Sequence, residues 1–310
     1  MQGMTKIKLC TILIVLTIVT ACKQSGNHAL KPNSWGRPFE VVVLNDADSC
    51  IYNMLTASIK GLPQGEPQFD VTSIGNKSAS TTPINKARSI VMVSIDASKY
   101  SHTAISYEKD VYAHPQLIIH VSTPSIATLH ADSKRLSAIN TLLRRHEINA
   151  CITQMQTKHN PKMEQAVKQM FGINMRIPSG MNSIKKGNDF IWMSNNSPTA
   201  MQNICIYTSE NRDSVMQANI KGETDSMYMT TVQSSVNVTH IIEHGKKIIV
   251  KHGLWQMHGD DMGGPFVSHT IGNAHTHKTI VIEAFVFAPG LKKRNLLAQT
   301  EASLFTIRQE

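Results

Sequence analysis

Two adjacent carboxylates, Asp260 and Asp261, stand in a glycine-rich stretch, GLWQMHGDDMGGPFVSHT (residues 253–270), inside what otherwise reads as β-strand. With His258 beside them, or His269 across a hairpin, they could offer oxygens and an imidazole to a divalent cation, or act as acid and base. The same residues also make a turn, because Asp closes local hydrogen-bonded turns and glycine supplies positive φ. The stretch is therefore expected to be a hairpin over residues 255–268. Trp255 and Phe266 are expected to pack together across the hairpin, mostly buried, and the loop to contain Asp260, Asp261 and Met262 with the two aspartates facing solvent.

A third acid, Glu283, interrupts the apolar run TIVIEAFVF on the face that holds Val281, Phe285 and Phe287. A carboxylate on such a face must pair with a cation or meet water in a pocket. A basic partner on a neighbouring strand is expected, with a ligand pocket as the alternative. Seven of the fourteen histidines lie between His240 and His277, and His275 and His277 could chelate a metal from one face of a strand. No carboxylate or cysteine stands at a matching offset, so no dedicated metal site and no cofactor are expected. Nucleophile-elbow, phosphate-loop, paired-histidine zinc and dinucleotide motifs are all missing from the sequence.

Strands and helices must hold these residues. EVVVLN, FDVTSI, SIVMVSI and PQLIIHVST are β-rich runs in the first half, with a helix after Asp48 as N-cap. Thr123-Pro124 reads as a helix opening, and the helical pattern breaks near Asp132-Ser133. A second helix opens at Asn160-Pro161 and ends at Gly172, with Met163, Val167 and Phe171 on its apolar face. After it come strands INMRIP, NDFIWMS and MQNICIYTS, a short helix opened by Asn211, a hairpin turning at EHGKK, and a last helix near residues 290–306. This is an α+β chain of mostly antiparallel sheet with helices packed on it, with a divergent duplication of a βαββ-type unit as one arrangement of its two halves.

The chain begins as an exported one. Lys6 and Lys8 precede an apolar run from Leu9 to Ala21, and Val19-Thr20-Ala21-Cys22 ends it as a lipobox with Cys22 as the acylated residue. The expected divisions are a signal peptide (1–21), a tether (22–36), an N-terminal α/β part (37–172) and a C-terminal α+β part (173–310). Removing the signal leaves about +7 of the formal +9 charge, scattered over the surface, which suits anionic envelope surfaces better than nucleic acid. Cys50, Cys151 and Cys205 remain, and are expected to be reduced and mostly buried.

PQLIIHVSTPS, FGINMRIPSG, NDFIWMS, GLWQMHGDDMGGPFVSHT and IEAFVFAPGLKKR, in this order behind a lipobox, resemble the envelope lipoprotein family of Bacteroidota called domain of unknown function 4837. GLPQGEPQFDV extends the resemblance to nearly all of the mature chain. It implies an envelope lipoprotein and brings no activity, cofactor or catalytic residue. With Lys23, Gln24 and Ser25 rather than acids after Cys22, it implies an outer-membrane protein facing the periplasm. The reading is a non-enzymatic binding module anchored to the bilayer through Cys22, with an envelope protein, glycan or lipid as partner and no nucleic acid. Its candidate binding residues are Trp255, Asp260, Asp261 and Glu283. A hydrolase built on the three acids and a structural envelope component are the alternatives.

Overall fold

β-branched runs bounded by turn residues fold here into two main sheets of different kinds, beside a two-stranded one. The computed structural model describes residues 31–309 apart from 76, 210, 244 and 273–278, and residues 32–310 form one compact unit. The signal, Cys22, His275 and His277 lie outside the described residues.

The smaller sheet contains β1 (Glu40–Leu44), β2 (Asp70–Ile74), β3 (Ser89–Ile95), β4 (Ala104–Lys109) and β5 (Leu117–Thr123), in the order β2-β1-β3-β5-β4. Its β1–β2, β1–β3 and β3–β5 pairings are parallel, and only β4 runs antiparallel. Parallel strands need cover on both faces. Val41 and Val43 of β1 meet α1 (Cys50–Thr56) and the core beneath it, while Val42 and Leu44 meet Ala79, Ile84 and Ala87 on the opposite side. Two details depart from the expected caps. Asp46, not Asp48, accepts the first N–H groups of α1, at 2.8 Å from Tyr52. Ser125, not Thr123, caps α2 (Ile126–Ala131), and Asp132 then caps α3 (Ser133–Met155). Asn33 and Trp35, expected in the tether, already make β-bridges to His114 and Ala87.

α4 (Pro161–Phe171) has the expected caps, Asn160 and a left-handed Gly172, and leads into the remaining strands. These are β6 (Ile173–Asn174), β7 (Ser183–Gly187), β8 (Phe190–Ser194), β9 (Met201–Tyr207), β10 (Tyr228–Glu243), β11 (Lys246–His258), β12 (Gly263–Gly272) and β13 (Thr279–Phe287), with α5 (Arg212–Asn219) after β9. Except for β6 they form one antiparallel seven-stranded sheet, β10-β11-β12-β13-β9-β8-β7. β6 spans only two residues of the expected strand INMRIP and pairs with β14 (Arg308–Gln309). The strand orders of the two sheets differ, so no βαββ unit is repeated.

The two sheets share α6 (Arg294–Leu304). Leu297 and Leu304 pack on the large sheet together with Met163, Val167 and Phe171 of α4, while Ala298 and Ala302 close the core of the small one. Lys293 offers no cap to this helix. Instead Glu66, from the small-sheet half, accepts the N–H groups of Lys293 and Arg294 at 2.7 and 3.0 Å, which places a negative charge at the positive helix end.

Candidate functional site

Alternation divides the large sheet into two faces. Ile248, Val250, Val267, Ile280, Ile282, Ala284 and Val286 point to the side covered by α4 and α6. The opposite face carries Trp255, Met257, Phe266, Val281, Phe285, Cys205 and Tyr207, partly covered by Met216 of α5. Glu283 stands on this second face.

The hairpin takes the expected form: β11 ends at His258, β12 begins at Gly263, and Asp260 and Asp261 are exposed. Trp255 and Phe266 are both buried. Their arrangement explains the glycines. Gly253 stands directly across from Phe266 and Gly264 directly across from Trp255, so each aromatic lies over a glycine on the neighbouring strand. A Cβ on Gly253 would stand 2.8 Å from Cε1 of Phe266, and one on Gly264 would stand 2.0 Å from the Val286 carbonyl oxygen and 3.1 Å from Nε1 of Trp255. That indole N–H donates to the Val286 carbonyl at 3.2 Å, beside Pro265, which has no N–H to give. Trp255 also meets Phe285 edge-on, with ring centroids 5.6 Å apart. The stretch is a turn with an aromatic floor, and its residues are used in building it.

Glu283 is fully buried and bound in a bidentate pair by Arg212, with Nη2 at 2.7 Å and Nε at 2.8 Å, while the Tyr207 hydroxyl donates at 3.3 Å. The basic partner comes from the first residue of α5, not from a neighbouring strand. Asn211 caps that helix, Arg212 Nη1 donates to Thr231, and the guanidinium lies 4.2 Å from the Phe266 ring centre. Burial, and next the Glu283 charge, raise the Cys205 thiol well above its ordinary value, which makes it inert. The three described cysteines are free thiols, with Cys151 pushed up to about 11, chiefly by burial.

The structure does not bring the three candidate acids together. Glu283 pairs with Ser268, five residues along β12 from Gly263, where the aspartate loop ends. At about 3.4 Å per residue the separation is roughly 17 Å. Among the described residues no group of three or more His, Cys, Asp or Glu could hold a metal ion. The end of the small sheet after β1 offers no open acid either, since Asp46 caps α1 and Asp48 bonds His130.

What the sequence reading missed is the part of this same face that α5 leaves open. Beyond Glu283 lies a pocket of about 500 Å³, open on one side and lined by Tyr207, Arg212, Lys247, Ile249, Lys251, Ser268, Thr270 and Val281, among others. Cross-strand register builds it in rows: Lys251 opposite Ser268 opposite Glu283, then Ile249 opposite Thr270 opposite Val281 opposite Tyr207. Among the described residues the Lys247 and Lys251 ammonium groups have no hydrogen-bond or carboxylate partner, and neither do the Ser268 and Thr270 hydroxyls. Arg212 is saturated by Glu283, so the free charge facing the pocket is that of the two lysines. The signal was present in KKIIVKHGLW, where Lys247, Ile249, Lys251, Gly253 and Trp255 alternate with Ile248 and Val250. A strand with Trp255 inward carries both lysines on the tryptophan's face.

Among curated proteins none matches the chain. Residues 30–156 match a family described as domain of unknown function (DUF8532), which covers the small sheet and the segments GLPQGEPQFDV and PQLIIHVSTPS, so the first resemblance is narrower than the mature chain. The boundary between the two matches precedes α4, in keeping with the packing of α4 on the large sheet. Residues 160–306, which carry the whole large sheet and its pocket, match the family described as domain of unknown function (DUF4837).

Proposed function

We propose that this protein is a binding module without chemistry of its own, held at an envelope membrane by acylated Cys22, and that its ligand occupies the open end of the large sheet. One observation carries the reading: a pocket of about 500 Å³ lined by two ammonium groups and two hydroxyls that have no partner among the described residues. Proteins seldom leave converging polar groups on a concave surface without a use, and pockets of this size suit small ligands or one group of a larger partner. The tether agrees with a binding role, since it keeps the pocket near the membrane while the partner is captured. The anchor in this reading is the lipid on Cys22, and no helix of the described residues is long and apolar enough to cross a membrane.

The test is a thermal-stability screen of envelope-derived small molecules on the full chain in detergent micelles and on Thr270→Trp, which fills the pocket. Ligands that raise Tm in the wild type and not in the filled variant are expected. Ligands that stabilise both equally, or none that stabilises either, refute the reading. Cys22→Ser tests the anchor: the variant should leave the detergent phase, and unchanged partitioning refutes lipid attachment.

A further inference from the structure

The lining of the pocket restricts its ligand. Lys247 and Lys251 lie on one face of β11, four residues apart, so their Cα atoms are about 13 Å from each other. Two flexible ammonium side chains can close on one group above Ile249 between them. Each is a strongly hydrated point charge suited to a phosphate or carboxylate.

Ser268 adds an independent observation. It is 2% exposed, lines the pocket, and among the described residues its hydroxyl has no partner. Its oxygen is not sealed from solvent but opens on the pocket, where a ligand hydroxyl can bond it. Thr270, one row away on the same strand face, offers a second hydroxyl.

The pocket is far larger than a bare inorganic anion requires. Among the described residues its aromatic side chain is that of Tyr207, which is 1% exposed and donates its hydroxyl to Glu283, so none of them presents a ring for a nucleobase to stack on. Among the described residues the aliphatic side chains of the floor are those of Ile249 and Val281, since Ile271 points to the opposite face with Val267, and these two are too little for an acyl chain. On the reading above, that ligand binds at this end of the sheet, we infer that the ligand is an anionic saccharide. Its phosphate or carboxylate lies between Lys247 and Lys251, its hydroxyls bond Ser268 and Thr270, and its ring lies over Ile249. The Arg212–Glu283 pair is a positioning element: it neutralises itself, fixes the pocket wall, and leaves the lysine charge uncancelled.

The experiment titrates glucose 6-phosphate, glucose and inorganic phosphate separately into the full chain in detergent micelles, following backbone amide shifts. Glucose 6-phosphate should shift residues 247–251 and 268–270, bind at least tenfold more tightly than glucose or inorganic phosphate, and weaken as salt rises. K247Q/K251Q should lose at least tenfold in affinity with an unchanged spectrum elsewhere, and Ser268→Ala should lose affinity for the sugar phosphate but not for inorganic phosphate. Glucose binding as tightly as glucose 6-phosphate, with K247Q/K251Q unaffected, overturns the anionic part while the binding module stands. Inorganic phosphate binding as tightly as the sugar phosphate overturns the saccharide part. No shift with any of the three overturns the inference, and the screen against Thr270→Trp then decides separately whether the pocket binds anything.

Discussion

Removing the Glu283 carboxylate should destabilise the protein through the cation it leaves behind. In Glu283→Ala, Arg212 keeps its charge in a site where its side chain is 13% exposed. Its nearest remaining carboxylate is Asp213 at 3.6 Å, itself 38% exposed. Breaking a buried ion pair from one side costs about 3–5 kcal/mol. Because Arg212 retains some contact with water, with Thr231 and with the Phe266 face, the lower end, about 3 kcal/mol, applies. Replacing both partners, as Arg212→Met with Glu283→Leu, leaves no orphan charge and should cost much less than Glu283→Ala alone. Urea unfolding of the four proteins, followed by tryptophan fluorescence, gives the double-mutant cycle. A single-mutant cost below about 1 kcal/mol, or a double variant less stable than either single one, refutes the account of this pair.

The same assay separates the two parts of the hairpin. Trp255→Ala should cost about 3–5 kcal/mol as a large core truncation, whereas Asp260→Asn with Asp261→Asn should stay within about 0.5 kcal/mol of wild type; equal costs would contradict the turn assignment. Acidification tests His269, fully buried and flanked by Glu301, His252, Arg144 and the Phe305 ring, with its pKa lowered to about 4, first by burial. A depressed folded pKa means that the unfolded chain binds the proton first, so stability is full above about pH 6.5 and declines toward pH 4. Between pH 7 and 5 the loss from this imidazole is about 2 kcal/mol, and the pH slope should diminish by that amount in His269→Leu; Glu301, whose pKa is lowered, titrates below this window. Thiol labelling without reductant should be slow in the folded protein, reach Cys151 first, and reach Cys50, Cys151 and Cys205 after denaturation; one reactive thiol after denaturation would reveal a disulfide.

The residues that were legible in the sequence are those whose structure is decided locally. Asn160-Pro161 and Gly172 announce the ends of α4, and Gly-Asp-Asp-Met-Gly-Gly between alternating strands announces the hairpin. Glu283 was visible as an acid requiring a partner, but Arg212 lies 71 positions away on a helix, and no spacing rule connects them. The parallel pairing of the small sheet was hidden for the same reason. β1, β3 and β5 read as apolar runs whatever their direction, and only their long-range register makes them parallel. The pocket was half legible. Alternation places Lys247 and Lys251 on the face of Trp255, yet that the face stays open there depends on α5 ending its cover at Arg212, a tertiary fact. The glycines at 253 and 264 carried a second message beside the turn: Gly253 makes room for the Phe266 ring, and Gly264 for the Val286 carbonyl and then the Trp255 indole.

The lysine ammonium groups themselves give the most direct test that the open end of the large sheet is a binding site. Reductive methylation with carbon-13 formaldehyde preserves their charge and gives each lysine its own NMR signal, which can be followed while glucose 6-phosphate is added. The account predicts saturable shifts of the Lys247 and Lys251 signals with the remaining lysines unmoved. Small, unsaturable shifts spread evenly over all lysines would contradict it.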